Sequence, residues 1–203
     1  IDLPPTLKDC KFSTLFTHPS EKGIATRRAF NELSLIAREI VPRLLNENWI
    51  DEWKEYEKIL PETLTINEIC QQWPEEQKRF EEIYPDIFSD ENMTLRVADR
   101  FRFAMREFER CRKMQDLLED PNCNPKLIGK IMNEAWVDAG ELYGIRTQLM
   151  DEIAARVREV PGVVGIKVMG AGFGGNLLIL SNNSVNLSSL GFDGVSDCYA
   201  GDA

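Results

Sequence analysis

Between Pro161 and Ser181 the chain reads Gly162-Val163-Val164-Gly165-Ile166-Lys167-Val168-Met169-Gly170-Ala171-Gly172-Phe173-Gly174-Gly175-Asn176-Leu177-Leu178-Ile179-Leu180. Apolar, strand-like runs flank a turn with glycine at four of the six positions from 170 to 175. Glycine accepts positive φ and lets other groups come close to the backbone, so such a turn has two uses. It can present N–H groups to phosphate oxygens, or it can join two strands tightly. Gly170, Gly172 and Gly175 match a G-x-G-x-x-G spacing formally, but the residues after them are strand-like and open no helix. No Lys-Ser or Lys-Thr follows either, so neither a dinucleotide fingerprint nor a P-loop is present. The residues alone leave the hairpin loop and the ligand-facing loop both open. Lys167 adds either local positive potential or a solvated strand lysine.

Other chemistry is sparse. The single histidine, His18, sits beside Pro19 with no serine or cysteine arrangement that would make it a general base. Five cysteines (Cys10, Cys70, Cys111, Cys123 and Cys198) form no C-x-x-C pair, so no zinc site or disulfide framework is supported and reduced thiols are expected. No residue is assigned as a metal ligand or as catalytic. The arginines from Arg96 to Arg112 suggest an RNA-binding face, but Glu107, Glu109 and Asp116 are interleaved with them, so a solvated helix is expected. A net charge of -10 works against nucleic-acid and anionic-membrane partners. No apolar run approaches the roughly 20 residues needed to cross a bilayer, and the start of the chain carries no signal sequence. A cytoplasmic protein is expected.

These residues need elements to position them. Lys11–Thr17 reads as a strand and His18–Gly23 as a loop. An amphipathic helix is expected from about Ala25 to Leu45, with Arg27, Arg28, Glu32, Arg38 and Glu39 on its polar face. Positions 46–90 are polar and interrupted by Pro61, Pro74 and Pro85, and read as a small helical insertion with a Thr65/Glu68 capping box. A long helix follows from about Asn92 to Glu119, burying Val97, Phe101, Ala104, Phe108, Cys111, Met114 and Leu118. Asn124-Pro125 starts another helix, which ends near Gly140 or Gly144, and a last helix spans about Thr147 to Val160.

The run from Gly165 to Asn176 resembles the third conserved motif of the galactokinase, homoserine kinase, mevalonate kinase and phosphomevalonate kinase superfamily. Three further segments favour the galactokinase branch. His18-Pro19-Ser20-Glu21 with Thr26-Arg27-Arg28 resembles the region after the active-site aspartate. Met132-Asn133-Glu134 is similar to a conserved helical stretch, and Cys198-Tyr199-Ala200-Gly201-Asp202 to the final strand region.

The resemblance implies an α+β, ferredoxin-like C-terminal kinase domain over 1–203, with helices packed on one face of an antiparallel sheet and the 46–90 insertion within it. It implies that the N-terminal catalytic lobe, with its serine-rich phosphate loop and aspartate, is absent from this chain. For the complete protein it implies a magnesium-dependent, ATP-binding transferase of carbohydrate metabolism, a kinase that phosphorylates a small-molecule sugar, with the anomeric hydroxyl the expected acceptor. The chain alone is then expected to be inactive; the alternative is a non-enzymatic binding or regulatory module of the same fold. Gly170, Ala171, Gly172, Phe173, Gly174 and Gly175 would form the loop beside the nucleotide. Arg27 and Arg28 are candidates either for substrate-side contact or for structural bracing. Three departures from the family pattern imply an acceptor other than unmodified galactose: Ile24 where a tyrosine is usual, Ala135-Trp136 where serine-histidine is usual, and Met169 where a threonine is usual.

Overall fold

Apolar runs that alternate in strand fashion pair with each other, and those with helical spacing close small cores around them. The computed structural model describes residues 4–45 and 50–199. Its strands are β1 (Cys10–His18), β2 (Leu64–Thr65), β3 (Thr94–Leu95), β4 (Val163–Val168), β5 (Gly175–Asn182) and β6 (Val195–Tyr199). Its helices of seven or more residues are α1 (Ile24–Leu35), α2 (Ile66–Gln72), α3 (Gln77–Ile83), α4 (Val97–Glu119), α5 (Pro125–Asp138) and α6 (Gln148–Arg158). Two compact units result, one from Ile1–Glu21 with Glu107–Ala203 and one from Lys22–Arg106.

The first unit holds an antiparallel sheet in the order β4-β5-β1-β6. Phe12 pairs with Leu180, and Cys10 and Leu178 lie on the same face. That face packs with Ile128 and Met132 of α5 and with Met114, Leu117 and Leu118 of α4. The other face is buried too, through Leu15, Leu177 and Ile179. Lys11 and Ser13 are also buried there because Asp197 of β6 accepts a hydrogen bond from each, both at 2.6 Å. The fold is thus α+β with an antiparallel sheet. Its link from β5 to β6 holds a 3-10 turn, Ser188–Leu190, where a ferredoxin-like repeat carries a second helix. β6 ends at Tyr199, and positions 200–203 of the expected last segment lie outside the described residues.

The second unit is helical apart from the short β2–β3 ladder. Helix α1 continues through a π turn, Ile36–Ile40, into Val41–Leu44. Pro42 has no N–H to donate, and the widened turn, with Val41 N–H reaching the Ile36 carbonyl, accommodates it. Leu35, Ile40, Phe80, Ile87, Leu95 and Phe101 close the core. The capping box forms as its sequence requires: the Thr65 hydroxyl accepts from Glu68 N–H, and Glu68 accepts from Thr65 N–H. Positions 46–49 of the expected insertion are outside the described residues.

Three expectations are corrected. The polar face of α1 and its continuation is solvated only in part: Arg27 and Arg38 are exposed, whereas Glu32 and Glu39 are buried. Arg100 and Arg110 of α4 are buried as well, each tied to a carboxylate distant in sequence. Phe108 and Cys111 are exposed: the first turns of α4 enter one core through Val97 and Phe101, and its last turns enter another through Met114 and Leu118.

Glu39 accepts hydrogen bonds from Arg79 and Arg43, each at 2.8 Å. Burial alone would raise its carboxyl pKa, but the two guanidinium groups outweigh it and hold the pKa below the ordinary value. A depressed carboxyl pKa adds stability above the unfolded value, about 4.3, and that contribution is lost as pH falls through the lower folded value. Glu39→Gln should therefore flatten the acid limb of a plot of Tm against pH below about pH 5. An unchanged limb would show that Glu39 is not part of that titration.

Candidate functional site

The hairpin of β4 and β5 carries the glycine-rich loop at its tip. Met169 N–H donates to the Asn176 carbonyl at 3.0 Å and closes it. Within the loop, φ is positive at Gly170 (75°), Gly172 (78°), Phe173 (56°), Gly174 (114°) and Gly175 (81°). Four consecutive left-handed residues turn backbone N–H groups away from the strand ladder. Phe173 is the one non-glycine residue with positive φ among those described. Two bonds hold it there: its N–H donates to the Ile145 carbonyl at 2.7 Å, and its carbonyl accepts from Glu21 N–H at 2.9 Å.

The glycines divide the work. A Cβ on Gly172 would sit 2.6 Å from Ile145 Cβ and 2.7 Å from its carbonyl oxygen. One on Gly174 would meet the Pro19 carbonyl at 2.9 Å and His18 Nε2 at 3.0 Å. These two glycines are buried and let the loop lie against Ile145 on one side and His18–Ser20 on the other. Gly170 faces open space, and it and Ala171 are exposed. Among the described residues, the N–H groups of Gly170, Ala171, Gly172 and Gly174 donate to no protein acceptor. Donors clustered in this way suit an anion with several oxygens.

The segment His18-Pro19-Ser20-Glu21 is thus brought to the glycine loop. His18 acts as a wedge: Nε2 lies 3.5 Å from the Thr147 hydroxyl, and buried Nδ1 has no partner among the described residues. Thr147 also caps α6 by accepting from Met150 N–H. Arg27 and Arg28 lie in the other unit. Arg27 Nε donates to Asp86 at 3.1 Å, and Arg28 donates to the Asp86 carbonyl at 2.9 Å and to the Ser89 hydroxyl at 3.3 Å. Lys167 lines a 350 Å³ groove with Met114, Leu118 and Met132 on the α5 side of the sheet. No cluster of three or more histidine, cysteine, aspartate or glutamate side chains able to hold a metal occurs among the described residues.

Two features were not singled out from the sequence as parts of this site. Asn133 acts as a clip: its amide donates to the Val164 carbonyl at 3.3 Å and accepts from Ile166 N–H at 3.1 Å, fixing α5 along the edge of β4. Gly129 and Gly165 allow this, since a Cβ on Gly129 would lie 2.5 Å from the Val164 carbonyl oxygen. The second is Ile145. Its signal was the pair Gly140 and Gly144, which marks a helix end whose π turn, Ala139–Tyr143, runs into left-handed Gly144.

Galactokinase of Clostridium perfringens (strain SM101 / Type A) is 31% identical over 81 residues, 40% of this chain and 20% of that protein. Galactokinase of Clostridium tetani (strain Massachusetts / E88) is 32% identical over 89 residues, 44% of this chain and 22% of that protein. The chain is similar to galactokinases. Its galactokinase-like fold is matched by the crystal structure of Lactococcus lactis galactokinase complexed with galactose, with TM-score 0.58 and 20% identity. That match covers 95% of this chain and 45% of the other. The aligned region is thus about a fifth of the length of the curated relatives. No family model matches the chain.

Proposed function

We propose that the complete protein is an ATP-dependent sugar kinase that transfers the γ-phosphoryl group to a sugar hydroxyl, the anomeric one being the expected acceptor. This chain supplies one wall of its nucleotide site. The observation that carries the reading is the run of left-handed residues from Gly172 to Gly175, with unengaged N–H groups around it, in a chain similar to galactokinases. The loop fits a polyphosphate, because fixed N–H donors need no reorganisation to meet spread negative charge. Mg²⁺, as the nucleotide's companion, would neutralise phosphate charge. No residue of this chain is assigned to it. The chain's own part is to orient phosphate oxygens and exclude water on one side. Aligning the acceptor hydroxyl falls to a kinase portion outside the chain, so the chain alone is expected to be inactive.

The acceptor is proposed to be a sugar other than unmodified galactose, on the strength of Ile24 in place of the usual tyrosine, since lost polar contacts discriminate more strongly than small changes in apolar volume. The test is ADP release by the complete protein with ATP, Mg²⁺ and a panel of free sugars, sugar acids and amino sugars. Sugar-dependent turnover with the greatest kcat/KM on a sugar other than galactose is expected. Nucleotide binding without turnover on any sugar would replace the kinase with a binding module, and a galactose optimum would overturn the substrate assignment.

A further inference from the structure

The glycine loop is held in its left-handed conformation largely by Ile145, whose carbonyl takes the Phe173 N–H and whose side chain fills the space beside Gly172. What fixes Ile145 is therefore a question about the loop. Before it, Gly144 at φ 76° reverses the chain, and Ile145 N–H returns to the Ala139 carbonyl at 3.0 Å. After it comes Arg146, which is anchored three ways. Its Nη1 donates to the Trp136 carbonyl at 3.0 Å, its guanidinium lies 4.8 Å from the centre of the Trp136 ring, and Asp151, 3.1 Å from Nε, pairs with it by charge alone, since that buried Nε makes no hydrogen bond among the described residues.

Glycine at 140 makes this possible, since a Cβ there would fall 2.3 Å from the Arg146 guanidinium carbon. A second guanidinium, that of Arg158, lies 4.9 Å from the same ring. Desolvation and then the like charge of Arg146 pull the Arg158 pKa down, a sign that the two cations share one small neighbourhood. Trp136 itself is buried and belongs to α5, the helix clipped to β4 by Asn133. An unbroken series of contacts thus runs from α5 through Trp136, Arg146 and Ile145 to Phe173.

We propose that Arg146 is a positioning residue for the glycine loop: stacked on Trp136, it sets Ile145, and Ile145 holds Phe173 so that the unengaged N–H groups of Gly170, Ala171, Gly172 and Gly174 keep the arrangement that meets a polyphosphate. The ligand half of this proposal rests on the nucleotide reading above, whereas the brace does not. A planar, multiply donating group is needed to stack on an indole and bond its carbonyl at once, and lysine lacks that shape.

The test uses Arg146→Ala and Arg146→Lys in the complete protein, with two readouts: hydrogen–deuterium exchange of the Phe173 amide, and affinity for a non-hydrolysable ATP analogue with Mg²⁺. In both variants the Phe173 amide is expected to exchange about tenfold faster while amides of β5 keep their protection. Analogue affinity should fall about tenfold, and KM for ATP should rise more than kcat falls. An unchanged Phe173 amide in a folded variant overturns the brace. Acceleration throughout β5 also overturns it, by showing that Arg146 merely stabilises the unit. Faster exchange at Phe173 with unchanged analogue affinity keeps the brace and overturns the nucleotide reading of the loop. If the alanine variant does not fold, the lysine variant, which keeps the charge and most of the length, still carries the test.

Discussion

Gly172→Val is expected to be among the most damaging single changes in the chain, lowering the unfolding midpoint of the sheet unit and abolishing ATP-dependent turnover of the complete protein. Two costs add. Holding an L-residue at φ 78° costs roughly 1–2 kcal/mol, and more for a β-branched one. The new Cβ would also stand 2.6 Å from Ile145 Cβ and 2.7 Å from its carbonyl oxygen, the atom that receives the Phe173 N–H. Backbone cannot yield as a side-chain tip does, so relieving the overlap costs about 1–3 kcal/mol more. Gly170→Ala is the control: its φ of 75° imposes the same backbone strain, but nothing lies within 4 Å of its Cβ. Urea titrations should place the valine variant well below the alanine variant. A well-folded Gly172→Val protein with wild-type turnover would remove the loop from the site.

The same contrast marks where sequence reading reaches its limit. Glycine density announced the loop, because left-handed turns select glycine by local sterics alone. It could not say that Gly172 and Gly174 serve close packing while Gly170 stays open, since the atoms they meet belong to Ile145, Pro19 and His18, remote in sequence. Phe173 gave no local signal at all: nothing in a phenylalanine foretells a positive φ, which is imposed by the bonds to Ile145 and Glu21. The arginine pair was legible as a pair. That its partners are Asp86 and Ser89 was not, because those partners lie about 60 positions further on.

Helix starts were legible for the corresponding reason. The Asn124 side chain accepts from Lys126 N–H and the Thr147 hydroxyl from Met150 N–H, both bonds being closed within four residues. Strand β1 was legible in extent but not in its faces: Lys11 and Ser13 alternate with apolar residues as if solvated, yet Asp197, opposite Ser13 on β6, lets them be buried. Charged residues in helices misled in the same way. A period of 3.6 assigns a glutamate to the polar face, and only the fold brings the arginine that allows its burial.

Glu32 tests this last point with the second large effect. On α1 it accepts Arg96 N–H at 2.7 Å and Arg100 Nε at 3.0 Å, with a second bond from Arg100 Nη2, and each side chain of the ion pair is 6% exposed. Glu32→Ala is expected to destabilise the helical unit by about 3–5 kcal/mol, because the Arg100 charge stays buried after losing its carboxylate. The paired change Glu32→Leu with Arg100→Met should cost far less, since well-packed apolar side chains replace a buried ion pair at little net cost. Urea denaturation of the single and double variants, with circular dichroism as readout, separates the two outcomes. If the double variant is as unstable as Glu32→Ala, the carboxylate's bond to Arg96 N–H at the start of α4 dominates over the ion pair. A single variant within about 0.5 kcal/mol of the parent would mean that burial of this pair contributes nothing to the fold.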